Sequence, residues 1–427
     1  MSNEELLYMH LEYIVTEEQE GTFIQVPFQV PVNTQQIIIR YKVDDAKHNA
    51  IDFGVEDING YRGWSNLLKN RIIIQEDYAT EGYLSGFIES GEWKIILGIF
   101  NIRKNCKVTL NINIKLEQSK WYKGDLHTHS IHSDGSFTLN EVMDYVKEEG
   151  LEYIALTDHN TFSQNTDYKT SDDLVVIPGV ELTTYKGHAN FFGCKKPFSH
   201  FRYENIEDIR KYMEEGKAND AIISLNHPFH KDKWKWGLEN FDFSYVEIWN
   251  SWFSEGNQRA IDWWHSMLCK GKKIIALGGS DFHRKQPKKW YGVPTTWVNS
   301  LSFNKRGILN GIRQGRVCVS AEPKAPMVDI SIEDVFMGET YIANDSENVV
   351  LTCYIKQVRP AILKLYSSRG LVIEKKIEDN DRKLLFNVST DTLFYRIELW
   401  NEYQQEPLCI SNPIFIDNKC AIKDNNK

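Results

Sequence analysis

The sequence predicts a multidomain chain, an α/β segment set between two all-β segments. Three observations lead there. The chain has 427 residues, enough for about three domains at roughly 150 residues each. Residues 21–116, and again those after about 325, read as strands rich in β-branched and aromatic side chains. Between them, short strands alternate with amphipathic helical segments, the mark of a largely parallel sheet or barrel. We therefore expect an N-terminal β-sandwich over residues 1–118, an α/β domain over 119–325 and a C-terminal β-sandwich over 326–427.

In the first segment the predicted strands are GTFIQVPFQV, QQIIIRYKV, IDFGVEDI, NRIIIQ, GEWKIILGIF and KVTLNINIKL, with Asn59-Gly60 and Ser90-Gly91 as turn signals. From about residue 119 the period changes. Thr138 and Glu141 fit a capping box. Leu139, Val142, Met143 and Val146 then recur at helical spacing, and Gly150 suits a C-terminal cap. LEYIALT, DLVVIPGVEL, AIISLNH, YVEIWN and KKIIALGGSDF read as further strands, and 204–216, 256–270 and 303–314 as helices. After about 325, MVDISI, NVVLTCYIK, AILKLYS, LVIEKKI, KLLFNV and LFYRIELW are strands, and the tail KCAIKDNNK is polar and expected to fray.

Composition narrows the function. Fifty Lys and Arg against 59 Asp and Glu give a formal charge of −9. An acidic chain lacks the basic field of a nucleic-acid-coating protein. No apolar run approaches the roughly 20 residues of a membrane helix, and MSNEELLYMHLEY has no secretory pattern. The seven cysteines are odd in number and form no C-x-x-C pair, which fits reduced thiols in a cytoplasmic protein and removes thiolate zinc sites. The expected partner is a small-molecule substrate.

Ten of the twelve histidines lie between His127 and His283, so the chemistry belongs to the middle third. His127 and His129 are two apart on a predicted strand end and face the same way. Asp134 follows in Ser133-Asp134-Gly135, and His159 in Thr157-Asp158-His159-Asn160. Glu181 closes Gly179-Val180-Glu181, and His188 comes seven residues later. His227 sits in Asn226-His227-Pro228, and Asp281 and His283 form another same-face pair. Imidazoles and carboxylates without thiolate suit zinc, manganese or iron. Nine candidates are too many for one catalytic ion with about three protein ligands, so two to three divalent ions are expected. A lone histidine is more often packed or solvated; two same-face pairs with further ligands at strand ends of one domain are not. Asp158 is a candidate for orienting a ligand imidazole. No G-x-S-x-G, H-E-x-x-H, P-loop or G-x-G-x-x-G occurs, and Gly278-Gly279 beside Asp281 reads as a place of close backbone approach.

The motifs DLHTHSIHSDG, TDHN, PGVE, NHP and GSDFH resemble those of the PHP (polymerase and histidinol phosphatase) superfamily. WYKG before the first motif, IDFGVEDINGYRGWSN and YATEGYLSGFIESGEWKIILG upstream, and GIRQGRVCVSAEPKAP and SNPIFID downstream resemble its carbaryl-hydrolase-like (CehA/McbA-like) branch. The resemblance implies a distorted (β/α)7 barrel whose catalytic centre is His127, His129, Glu181 and Asp281 on a first metal. It implies Glu181, His188 and His227 on a second metal, and Asp134, His159 and His283 on a third.

Water bridging two such ions is hydroxide near neutral pH and attacks phosphorus or a carbonyl carbon without a side-chain nucleophile. The function expected is a metal-dependent phosphoesterase. Hydrolysis of a carbamate, ester or amide is the alternative on the same ligands, and a non-catalytic binding protein with a vestigial barrel the alternative of another class.

Overall fold

The computed structural model describes residues 6–117, 119–230, 234–285, 290–343, 348–403 and 405–418. The tail predicted to fray falls outside them. They form two compact units. One comprises Met1–Lys120, Thr170–Val175 and Leu301–Gly307; the other comprises Trp121–Lys169, Val176–Ser300 and Ile308–Lys427.

The first unit contains two four-stranded antiparallel sheets. One orders Leu6–Val15, Cys106–Leu116, Thr34–Val43 and Arg71–Gln75; the other orders Phe23–Val30, Gly91–Asn101, Ala50–Asp57 and Gly60–Trp64. Alternate residues of both enclose one core, including Val26, Phe53, Trp93, Ile37, Ile72 and Leu110. The strands Leu6–Val15 and Gly60–Trp64 were not expected. The first buries only Val15 of its ten residues, and the second carries two glycines, Gly60 and Gly63, in five.

The second unit is built on a mixed sheet. Its order is Ile275–Gly279, Tyr245–Asn250, Ile222–Asn226, Gly187–Phe192, Val175–Thr184, Tyr153–Leu156, Lys120–Asp125, Thr295–Ser300 and Val317–Ser320. The helices Leu139–Glu148, Ile206–Ala218, Glu255–Cys269 and Lys305–Arg313 lie close to their expected ranges. The capping box of Thr138 and Glu141 is formed, and Gly150 at φ +69 ends the helix with Leu151 N donating to Val146 O at 3.0 Å.

The expectation of a largely parallel sheet needs correction. Gly187–Phe192 runs antiparallel to both neighbours. Thr184 pairs with Gly187, so only Tyr185 and Lys186 separate the strands. A two-residue loop leaves no room for the crossover a parallel pair requires. Gly187 at φ +149 and the Thr184 hydroxyl, which donates to Gly187 O at 2.7 Å, set the turn.

The same sheet continues from Val317–Ser320 through Pro407–Ser411 to Phe394–Trp400, Ala361–Ser367 and Gly370–Ile377. A separate sheet of Val335–Phe336, Met327–Ile332, Asn348–Lys356 and Lys383–Ser389 covers it over a core that includes Ile330, Leu351, Leu363 and Ile397. Arg396 and Glu398 are both almost fully buried, 2.5 Å apart, and Trp400 Nε1 donates to the same carboxylate at 2.7 Å. Removing one partner of a buried pair strands the other charge. Glu398→Ala should therefore cost about 3–5 kcal/mol in urea unfolding, whereas Glu207→Ala, which breaks the exposed pair with Arg210, should cost about 1 kcal/mol or less. Equal losses would contradict this.

Candidate metal centre

The site collects at the ends of neighbouring strands of the second unit. Past Lys120–Asp125 the chain stays extended. Thr128 bridges Phe282 in parallel, Asp281 N donates to His127 O at 2.8 Å, and His129 N donates to Phe282 O at 3.1 Å. His127, His129, Asp281 and His283 flank this bridge on its two sides and converge, with Asp281 Oδ1 3.5 Å from His283 Nδ1 and 3.1 Å from His129 Nε2. His129 and His283 stack with ring centroids 4.0 Å apart. His159 bridges Glu181 in parallel on the next two strands. His188 pairs with Thr183 on one side and Asn226 on the other, which puts His227 next to it.

Glu181 is fully buried and stands at the centre. Its Oε1 lies 3.3 Å from His127 Nε2, 3.1 Å from His188 Nδ1 and 3.4 Å from His227 Nε2. Its Oε2 lies 2.7 Å from His159 Nδ1 and 3.7 Å from His129 Nε2. Asp281 Oδ1 lies 3.1 Å from His129 Nε2 and 3.4 Å from His127 Nε2. Asp134 Oδ1 lies 3.2 Å from His283 Nε2 and 3.5 Å from His159 Nε2, and this carboxylate is half-exposed. The structure thus brings all nine sequence-predicted residues together.

Four sets hold ligand atoms within 4.8 Å of one another: His127, His129 and Asp281; Glu181, His188 and His227; His129, Asp134, His159 and His283; and His127, His227 and Glu247. His127 Nε2, His129 Nδ1 and His227 Nδ1 are buried with no hydrogen-bond partner among the described residues. His127 Nε2 faces Glu181 and Asp281 at 3.3 and 3.4 Å without a hydrogen bond to either, which fits a cation between the groups. The donor set is all nitrogen and oxygen, which suits borderline divalent ions.

Charge follows the same geometry. Burial alone would raise the Glu181 carboxyl, but the imidazoles of His127, His188 and His159 hold it well below its ordinary range. Asp281 is held down the same way by His127 and His129. Burial disfavours charge on His127, and Glu247, Glu181 and Asp281 outweigh it, raising its pKa. Burial dominates at His129; with the repulsion of His159 and His283 it outweighs the hydrogen bond to Asp281 and lowers the pKa to about 3.

A layer behind these groups was not foreseen. Glu247, buried on Tyr245–Asn250, lies 2.9 Å from His127 Nδ1 and accepts from His227 N at 3.0 Å and Asn250 Nδ2 at 3.1 Å. Its one signal in the sequence is an acid between Val246 and Ile248 inside a buried strand. Asp125 accepts from the backbone N–H of His127, Ser280 and Gly292.

Asp158 does not orient an imidazole as expected. It accepts from Ser130 N at 2.8 Å and from the hydroxyls of Ser130 and Ser133, because its strand turns it toward the loop after His129. Asn160, at φ +48, serves a turn, bonding Thr183 N and O. Gly279 confirms the close approach: a Cβ there would stand 2.3 Å from His127 Cβ.

Residues 125–240 match the sequence profile of the family described as PHP domain. The DNA polymerase/3'-5' exonuclease PolX of Bacillus subtilis is 35% identical over 66 residues, 16% of this chain and 12% of that protein. A two-domain protein of Bacteroides vulgatus containing a predicted PHP-like metal-dependent phosphoesterase superposes with a TM-score of 0.42 at 17% identity, over 69% of this chain and 96% of its own. A candidate metal-dependent phosphoesterase of Bifidobacterium adolescentis superposes with a TM-score of 0.28 at 15% identity, over 39% and 90%.

Two variants test the arrangement. Glu247→Ala should weaken metal affinity about 10–100-fold, as loss of an orienting partner does, with the fold kept by circular dichroism; unchanged affinity would remove Glu247 from the site. His188→Ala should lower metal content and turnover while the ion beside His127, His129 and Asp281 stays. Full metal content with near-normal turnover would show that His188 is no ligand.

Proposed function

We propose that this chain, through its PHP domain, is a metal-dependent hydrolase of small-molecule phosphoesters. The observation that carries the reading is Glu181: one fully buried carboxylate with five imidazoles within 3.7 Å. Such a group is too costly to bury for packing alone. We assign His127, His129, Glu181 and Asp281 to one ion, Glu181, His188 and His227 to a second, and Asp134, His159 and His283 to a third, each zinc, manganese or iron. We also read the mixed sheet as a closed, distorted barrel. The bridge between Thr128 and Phe282 supports this, since it joins the end of the sheet at Ile275–Gly279 to the middle strand Lys120–Asp125.

When bound, divalent ions supply hydroxide from water near neutral pH and offset charge on the attacked centre. The side chains do the positioning. Glu247 accepts from His127 Nδ1 at 2.9 Å and so fixes the ring with Nε2 toward Glu181 and Asp281. Asp125 and Asp158 hold the backbone on either side of His127 and His129 by accepting N–H and O–H groups. Half-exposed Asp134 marks the side open to solvent, where a substrate enters. The flanking stretches that resemble the carbaryl-hydrolase-like branch support a second reading, hydrolysis of carbamates, esters or amides on the same ligands.

Elemental analysis of purified protein should find two to three equivalents of transition metal, and chelators should abolish turnover. In a panel of phosphomonoesters, phosphodiesters and aryl carbamates, phosphoesters should be turned over fastest. One equivalent or fewer in active protein would contradict the metal assignment, and turnover of carbamates alone would contradict the phosphoesterase reading.

A further inference from the structure

A concavity of about 500 Å3 lies in the second unit. The strand Tyr245–Asn250 supplies Trp249, and the residues after it supply Ser251, Trp252 and Phe253. Trp290 follows the Asp281–His283 segment, and Arg359 comes from the loop between Asn348–Lys356 and Ala361–Ser367. A bulge explains how one strand serves two places. Glu247 pairs with Leu277 but Trp249 with Gly278. Residues that pair with consecutive positions face opposite sides of the sheet. Glu247 therefore turns to His127 while Trp249 turns to the concavity. Ser251, at φ +57, donates its N–H to Gly279 O at 3.0 Å and so ties this loop to the strand that leads to Asp281.

The lining is aromatic, and part of it lies outside the core: Trp249 and Phe253 pack with the core, Trp252 does not. Trp252 keeps 47% of its surface exposed, a large apolar ring left at a concave wall. Trp249 and Phe253 meet edge to face at 5.4 Å. The charges cancel: Arg359 lies 3.5 Å from Glu322, and Lys285 and Glu406 are the other two charged residues of the lining. Trp249 Nε1 and Ser251 Oγ are buried with no hydrogen-bond partner among the described residues. Aromatic walls, balanced charge and unpaired donors favour an uncharged planar ring that carries an acceptor oxygen.

We infer that this concavity binds such a ring, aromatic or heteroaromatic; that affinity does not depend on the hydrolase reading above.

Calorimetric titration of the full chain with coumarin, and with its saturated analogue octahydrocoumarin, tests this. Coumarin should bind about tenfold more tightly than the saturated lactone. Trp252→Ala should weaken coumarin about tenfold, and Trp252→Phe should largely restore it. Trp252 is exposed, so both variants should fold, which circular dichroism checks. Equal affinity for the two lactones, no binding of coumarin, or an unchanged Kd in Trp252→Ala would overturn the proposal. Coumarin binding in a protein that cleaves no phosphoester would leave it standing and sink the hydrolase reading alone; turnover without coumarin binding would do the reverse.

Discussion

The rest of the second unit's histidine-rich centre depends on one buried charge. A carboxylate at the position of Glu181, wholly removed from water, is stable as an anion only if its surroundings replace the lost hydration. Five imidazoles and the amide of Asn226, 2.9 Å from Oε1, do so. They arrive from four other segments. The position of each strand end is therefore constrained by the need to reach the same two oxygens, and sheet register becomes part of the chemistry.

That requirement distorts the backbone. His227 and Asp281 have φ of +28° and +49°, a region costly for residues other than glycine, and such strain persists where surroundings over-determine it. Here they do. Glu247 holds the N–H of His227, and the carbonyl of His127 holds the N–H of Asp281. Gly279 leaves space beside His127 that no other residue could leave. The imidazoles and carboxylates of the centre and the groups behind them form one interlocked network, so a change at Glu247 or Gly279 reaches the whole cluster.

Much of the centre was legible because its logic is local. Pairs two residues apart at a strand end tend to share a face, so His127 with His129 could be read directly; Asp281 and His283 do meet, but through a left-handed turn at Asp281 and not by strand alternation. The capping box at Thr138 is legible for the same reason. What escaped depends on contacts distant in sequence. Glu247 meets His127 across 120 residues, and a single acid in an apolar strand does not announce its partner. Asp158 sits beside a ligand in sequence, yet its strand points it at Ser130. The reversal of Gly187–Phe192 hangs on a two-residue loop without a strong turn dipeptide. The continuation of the sheet from Val317–Ser320 into Pro407–Ser411 joins segments some ninety residues apart, beyond any periodicity argument.

The most direct test is anomalous diffraction from crystals of the protein loaded with manganese. The account predicts peaks in contact with Glu181, one shared with His127, His129 and Asp281 and another with His188 and His227. Active, metal-loaded protein whose peaks lie away from Glu181 would contradict it.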